Sequence, residues 1–289
     1  MFKRIVAAIA ITAVGLLTGV AQAKPPMEAF GDMPSIRAVS LSPDGSRAAY
    51  ILRENGIDVL VIHDFVTKTA AALAKVDEIR ARDVQFIGND YVVLIASKDT
   101  STFGYSGRFE FSAALAFNLK TGTNTQLLRG TEGIHPAQSG LGRIIGLDPD
   151  GQHVLMPAYM IGGSDSPYDL LRVPLNNGRG SKIGGARGSN STIDWLVDNT
   201  GKAIAREDFS ERNTTHQIKT RTTGAEWKTI YETKAPLPAI NLVGISPDGK
   251  SLIVVDARES EFMSLYSMSM ETGEISPPLM QREDAEVAG

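Results

Sequence analysis

The sequence predicts an all-β fold, a β-propeller with about five recognisable four-stranded blades. Three observations carry that prediction. A Pro-Asp-Gly turn between apolar runs recurs along the chain, a second polar turn recurs in step with it, and no 3.6-residue apolar period appears beyond the N-terminus.

The first turn is clearest in three copies. Ser42-Pro43-Asp44-Gly45 separates residues 38–41 from 47–51, and Asp148-Pro149-Asp150-Gly151 separates 144–147 from 153–156. Ser246-Pro247-Asp248-Gly249 separates 242–245 from 251–255. Proline presets φ at the second position of a type I turn, Asp tolerates the third, and Gly accepts the left-handed conformation that follows. The structural turn residues are therefore Pro43, Asp44, Gly45, Pro149, Asp150, Gly151, Pro247, Asp248 and Gly249, and flanking apolar residues complete each hairpin. Gly88-Asn89-Asp90 and Asp198-Asn199-Thr200-Gly201 are degenerate copies in the same frame. The Asp-x-Asp-Gly at Asp148 to Gly151 lacks the later ligand positions and terminal glutamate of a calcium loop, so it reads as a plain turn.

The second turn follows each hairpin after one more apolar strand. Its copies are Val66-Thr67-Lys68, Lys120-Thr121-Gly122, Asn176-Asn177-Gly178, Thr222-Thr223-Gly224 and Glu271-Thr272-Gly273. Their last residues recur at intervals of 54, 56, 46 and 49. Two hairpins per period of that length means four strands per repeat, which is a propeller blade rather than a sandwich. The blades run roughly over 36–75, 83–130, 141–185, 192–232 and 239–280, in a domain spanning 36–289.

Upstream of the repeats, Lys3 and Arg4 precede the apolar run Ile5 to Val20, and Ala21-Gln22-Ala23 follows. Positive charge, apolar stretch and small-x-small pattern read as a signal peptide over residues 1–23, cleaved between Ala23 and Lys24. The run is marginal for a bilayer span. Residues 24–35 lead into the first blade, and the mature protein is expected to be exported, periplasmic or extracellular, with no membrane segment after cleavage.

The chain carries 29 basic and 33 acidic side chains, for a formal net charge of −4. That balance argues against a nucleic-acid partner, which needs a concentrated basic surface. The absence of cysteine removes disulfides, thiol nucleophiles and cysteine-based zinc sites from consideration.

Candidate chemistry is sparse. A serine hydrolase needs Gly-x-Ser-x-Gly on a strand-to-helix elbow. Gly104-Tyr105-Ser106-Gly107-Arg108 and Gly162-Gly163-Ser164-Asp165-Ser166 both lack the closing glycine and read as loops. His63, His135, His153 and His216 sit in different repeats without ligand spacing. The glycine-rich stretch from Asn176 to Asn190, with Arg179, Lys182 and Arg187, matches no phosphate-binding spacing and reads as two blade turns joined by a flexible connection. Glu207, Asp208, Glu211, Glu259 and Glu261 could supply a glycosidase's paired carboxylates, but read as solvated loop clusters. Trp195 and Trp227 are the two indoles, and Trp227 reads as an outer-strand packing residue. Asp99 to Phe109 lengthens the second blade, reading equally as part of a binding face or as a tolerated surface loop. No catalytic, cofactor-binding or metal-ligating residue is assigned, and no cofactor is expected.

Pro34-Ser35-Ile36 leading into Val39 to Gly45 and Ala48-Ala49-Tyr50-Ile51, just after a signal segment, resembles the start of the prolyl oligopeptidase family. The resemblance is closest to its exported bacterial acylaminoacyl-peptidase and dipeptidyl-peptidase-like branch. Ile245 to Gly249 and Met270-Glu271-Thr272-Gly273 fit the same picture. In that family a seven- or eight-bladed propeller is a non-catalytic lid on an α/β-hydrolase domain. The resemblance implies that this chain restricts the access of short peptides to a C-terminal hydrolase domain. Five blades and an end at Gly289 depart from the pattern and lead to the expectation of a truncated product, although a closed five-bladed ring is physically possible. Ser-Pro-Asp-Gly repeats also occur in TolB-like propellers, so a stand-alone periplasmic propeller that binds an envelope protein is the second reading. A propeller glycosidase is the third.

Overall fold

The apolar runs on either side of each turn pair as antiparallel strands, because alternate residues face alternate sides of a sheet and both sides find apolar partners. A computed structural model describes residues 35–287 apart from 77, 103, 105, 137, 163–165, 185–190, 222–225 and 259. The segment read as a signal peptide, the Ala23–Lys24 cleavage point expected for it, and Gly224 lie outside these residues.

Sheet 1 holds β1 (Ile36–Leu41), β2 (Arg47–Glu54), β3 (Ile57–Asp64) and β4 (Thr69–Val76), side by side in chain order. Sheet 2 holds β5 (Arg80–Ile87), β6 (Tyr91–Thr100), β7 (Phe109–Asn118) and β8 (Asn124–Gln126), with β9 (Gly140–Leu141) added parallel to β7. Sheet 3 holds β10 (Gly146–Leu147), β11 (His153–Tyr159), β12 (Tyr168–Pro174) and β13 (Ser181–Gly184). Sheet 4 holds β14 (Thr192–Val197), β15 (Ala203–Ser210), β16 (Thr215–Thr220) and β17 (Lys228–Lys234). Sheet 5 holds β18 (Asn241–Ile245), β19 (Ser251–Asp256) and β20 (Ser264–Ser269). No α-helix occurs among the described residues.

Four apolar clusters join consecutive sheets face to face. Ile51 and Leu60 meet Val84 and Leu94 between sheets 1 and 2, and Val93 and Ala116 meet Met156 and Leu171 between sheets 2 and 3. Leu155 and Leu170 meet Trp195 and Ala203, while Ala205 and Ile218 meet Val254 and Tyr266. The first strands converge. Phe86 donates its amide to Ser40 Oγ (2.9 Å), and Arg37 donates to Ala81 O (2.9 Å), both between β1 and β5. In four of the sheets the first strand also carries a register shift, between Arg37/Ser40, Ala81/Asp83, Thr192/Asp194 and Leu242/Gly244. Such bulges increase the twist of the strand that carries them.

Two expectations need correction. The last repeat forms three strands, not four, among the described residues. Its outer position is taken by isolated bridges from Ile275 to Met268 and from Met280 to Leu265, because Pro277 and Pro278 between them have no amide to continue a ladder. Of the Asp99–Phe109 segment, Asp99, Thr100 and Phe109 enter the β6–β7 ladder, Asp99 pairing with Glu110 and Thr100 with Phe109. The glycine-rich stretch after Asn176 contributes Ser181–Gly184 as the outer strand β13, paired to β12, rather than a flexible connection.

Each sheet is an up-and-down meander, so the molecule has two unlike ends. First-to-second and third-to-fourth strand connections share one end, the turn end. Second-to-third connections and the links between sheets share the other, the loop end. At the turn end, Gly45, Gly151, Gly201 and Gly249 all have φ between 65° and 78°. The five second-turn residues aligned by sequence behave alike where described: Lys68 (φ 55°), Gly122 (70°), Gly178 (69°) and Gly273 (76°).

Candidate functional site

At the turn end the sequence-assigned residues are fully occupied by one another. Gly45 donates to Ser42 O (2.9 Å), Gly151 to Asp148 O (3.0 Å) and Gly249 to Ser246 O (2.9 Å). Ser42 Oγ donates to Asp44 Oδ1 (2.7 Å) and Ser246 Oγ to Asp248 Oδ1 (2.6 Å), which closes the turn from inside. The Ser42 hydroxyl, helped by the Ser46 amide, holds the Asp44 carboxyl at about 2. Arg172 reaches both Asp148 and Asp150, at 2.6 and 2.5 Å, and His153 Nδ1 lies 2.6 Å from Asp150. The Arg172 bond holds Asp148 below the usual carboxylate range.

The loop end is built differently. After β8 the chain crosses from the rim back toward the first strands. It is held along the way by Ile134 bridging Met160, by His135 N–H on Tyr159 O (2.9 Å), and by β9 on β7. Gln138 fixes the crossing. Its amide nitrogen donates to Tyr159 O (2.7 Å) and His135 O (3.1 Å), and its oxygen accepts from Tyr159 N (2.8 Å), so one side chain stands in for a strand partner.

Between this crossing and the β11–β12 connection lies a cleft of about 470 Å³, lined by His135, Gln138, Ser139, Tyr159, Ser166 and Tyr168. The Tyr159 and Tyr168 rings stand 4.7 Å apart at 42°. Trp195 Nε1 donates to Tyr168 O (2.8 Å), tying that wall to sheet 4. Behind it, Arg143 contacts the Tyr168 side chain and pairs with Asp194 at 2.8 Å. Burial pushes the Tyr168 phenol up; Arg143 opposes that rise, whereas Asp194 and Tyr159 add to it. Burial works against the Arg143 charge, but Asp194 outweighs it and the guanidinium pKa is raised. Two aromatic faces with amide and hydroxyl groups around them equip the cleft to bind a small polar chain.

The remaining sequence candidates are dispersed. His135 lines the cleft, His153 locks a turn, and His63 stacks on Phe65 at 5.1 Å. His216 is fully buried between sheets 4 and 5, accepting from Ala239 N at Nδ1 (3.1 Å) with Nε2 3.0 Å from Glu207. Glu207 and Asp208 are buried strand residues, not solvated loop residues. Being consecutive in β15 they face opposite sides: Glu207 meets His216, while Asp208 meets Thr192, Lys219 and Arg206. They therefore cannot flank one substrate. Trp227 and Trp195 meet edge-on at 5.8 Å, with Arg206 and Arg221 over the Trp227 ring. Ser106 sits at the β6–β7 tip and Ser166 in the cleft, whereas Ser164, Arg187 and Glu259 lie outside the described residues. Among the described residues no group of three or more His, Asp or Glu gathers in a metal-holding arrangement.

No family model and no curated protein sequence matches the chain. Solved structures do. An oligogalacturonate lyase in complex with manganese matches 85% of this chain and 65% of its own, with 15% identity and a TM-score of 0.53. The oligogalacturonate lyase of Vibrio parahaemolyticus matches 86% of this chain and 66% of its own at 14% identity and TM-score 0.53. The dipeptidyl peptidase 4 of Porphyromonas gingivalis matches 88% of this chain and 40% of its own at 11% identity and TM-score 0.52. The fold is that of a β-propeller. The structural neighbours include propeller domains of prolyl oligopeptidase-family peptidases, and the chain spans less than two thirds of the length of these three proteins.

Proposed function

We propose that this chain is the non-catalytic propeller of an exported peptidase system of the prolyl oligopeptidase kind, and that its loop end receives short peptides. The hydrolytic step belongs to groups beyond the described residues, in a hydrolase domain or protein that the propeller docks against. The observation that carries the reading is the cleft, which sits where the sheets' loops gather. Gln138 fixes its backbone, and Tyr159 and Tyr168 offer the flat faces that accommodate peptide units and side chains at low entropic cost. The Ser-Pro-Asp-Gly resemblance supplies the peptidase context.

Calorimetric titration of the mature chain with short peptides of mixed sequence tests this. Saturable binding is expected, weakened about tenfold or more in Tyr159→Ala, the usual effect of removing an aromatic anchor. Absence of saturable peptide binding, or binding indifferent to Tyr159→Ala, would sink the reading. A second reading is favoured by Arg143 beside the tyrosine pair: an acidic oligosaccharide presents a carboxylate to the guanidinium and a ring face to the aromatics. Saturable binding of oligogalacturonate with indifference to peptides would select it.

A further inference from the structure

Sheets 4 and 5 are joined at the loop end by residues 235–240, Ala-Pro-Leu-Pro-Ala-Ile. Pro236 and Pro238 have no amide to donate, so the segment depends on few anchors. Ala235 donates to Thr214 O (2.9 Å), Ile240 is buried in the cluster between the two sheets, and Ala239 donates to His216 Nδ1 (3.1 Å). That last bond fixes the chemistry of the ring. A ring nitrogen that accepts from a backbone N–H carries a lone pair, so His216 is neutral with its proton on Nε2. Nε2 lies 3.0 Å from Glu207 Oε1, but off the line that a hydrogen bond needs, and it has no other acceptor. The ring is fully buried between those of Phe209 (6.4 Å) and Tyr231 (6.0 Å). The ionisable groups on the elements packed around it are Glu207 from β15, Tyr231 from β17, and Asp256, Arg258 and Tyr266 from the side of sheet 5. Residues 235–240 contribute none.

We propose that His216 is a proton-operated clasp: when its ring takes up a second proton from water it lets go of Ala239, and the link between sheets 4 and 5 opens at the loop end. An imidazolium donates from both nitrogens. The new Nδ1–H meets the Ala239 N–H donor against donor, so that bond cannot survive. Nε2–H, by contrast, gains a charge-assisted bond to Glu207 once the ring turns onto its line. Charging therefore exchanges a backbone anchor for an ion pair inside the fold. Leu237 is 71% exposed, so burial holds the link at Ile240 rather than along its length. Tyr231 does not compete for the proton change, because burial and Asp256 push its phenol up, away from the range in which histidine titrates. Asp256 is the rival, since burial raises its carboxyl from below.

Nitrogen NMR of the imidazole and amide hydrogen exchange test the proposal. At about pH 8 the His216 ring should show a bare Nδ1 and a protonated Nε2. Between about pH 8 and pH 5, protection of the Ala239 amide, measured against the unfolded chain at the same pH, should fall about tenfold or more as both ring nitrogens become protonated. The ladder amides of β16 should keep theirs. Glu207→Gln retains an acceptor but removes the charge that attracts the imidazolium, and should move the transition to lower pH. His216→Asn puts a non-titrating oxygen where Nδ1 sits, and should hold Ala239 protection constant over the same range. Asp256→Asn should leave the transition in place. A proton on Nδ1 at pH 8, or Ala239 protection indifferent to pH, would overturn the assignment from the wild type alone, whether or not a variant folds. So would a transition that Glu207→Gln leaves in place or raises, that survives His216→Asn, or that disappears in Asp256→Asn.

Discussion

The two ends of the molecule are made from the same strands but held by different physics. At the turn end each connection is satisfied within a few residues. A Ser or Asp side chain caps the turn, a left-handed glycine closes it, and the second turns latch one sheet to the last. Thr125 Oγ1 donates to Asn176 O (3.1 Å), and Thr220 Oγ1 donates to Met270 O (2.8 Å). At the loop end satisfaction comes from far away in sequence, as when Gln138 pairs with Tyr159 or Arg143 with Asp194. The turn end is therefore built by local chemistry and the loop end by tertiary contact. Substitutions at the first should cost stability, and substitutions at the second should cost shape and binding.

The largest effect should come from a latching glycine. A Cβ at Gly273 would fall inside the carbonyl of Ile230, and one at Gly178 would lie 2.5 Å from Gln126 O, both on the outer strand of the preceding sheet. Gly249 has the same positive φ with nothing within 4 Å. Gly249→Ala should cost up to about 1.5 kcal/mol, the left-handed penalty of about 1–2 kcal/mol less about 0.5–1 kcal/mol for glycine's unfolded-chain freedom. Gly273→Ala adds a backbone displacement across the sheet 4–5 interface and should cost more than about 3 kcal/mol. Equal shifts of the urea midpoint for the two variants would show that the second turns do not latch the sheets.

Gln138→Ala breaks the comparison from the other side. It leaves Tyr159 N without its acceptor, while Tyr159 O keeps the His135 amide, and an unsatisfied group of this kind costs about 1–3 kcal/mol. Because Ile134 and Leu141, not Gln138, pack the crossing against the cluster between sheets 2 and 3, the loss should appear as local opening. Amide exchange across residues 133–141 and at Tyr159 should speed up about tenfold with little change in the global melting temperature. An unchanged local rate would mean that β9, the Ile134–Met160 bridge and the His135 amide hold the crossing without Gln138.

How much the sequence discloses follows the same division. The nine turn residues, the equivalence of Lys68 with Gly122, Gly178 and Gly273, and the five-fold repetition are readable because each depends on neighbours in the chain. The cleft is not, because Tyr159, Tyr168 and Gln138 meet only after sheets 2 and 3 have packed. One signal was available: the interval of 56 between Gly122 and Gly178 is the longest of the four, and the excess is the crossing segment itself. The burial of Glu207 and Asp208 was hidden because adjacent acids look like a solvated cluster until a histidine and two basic side chains arrive from β15 and β16.

Lys68 sharpens the comparison within the turn end. It holds φ 55° where its counterparts are glycines. An L-residue there carries a left-handed cost of about 1–2 kcal/mol, against about 0.5–1 kcal/mol for the extra unfolded-chain freedom of glycine. Lys68→Gly should therefore stabilise the protein by up to about 1.5 kcal/mol, opposite in sign to Gly249→Ala. A loss of stability on thermal unfolding would show that the Lys68 side chain contributes something its backbone geometry does not reveal.

The smallest effect separates the ends by pH. Asp44 at the turn end is held at about 2 by the Ser42 hydroxyl, so its contribution is complete above its unfolded value near 3.9 and is lost as pH falls through about 2. Asp256, at the loop end of β19, is shifted the other way: burial raises it, and Arg258, 3.9 Å away, only partly opposes the rise. Its contribution is present at low pH and is lost as pH climbs through the raised value, so the ionised carboxylate weakens the fold at neutrality. Asp256→Asn keeps the shape without the charge. It should match wild type in urea midpoint near pH 3.5 and exceed it slightly at pH 7, whereas Asp44→Asn should fall below wild type at pH 7 and converge with it toward pH 2. Should Asp256→Asn be the less stable protein at pH 7, the Arg258 pairing outweighs desolvation, and the loop end would share the electrostatic logic of the turns.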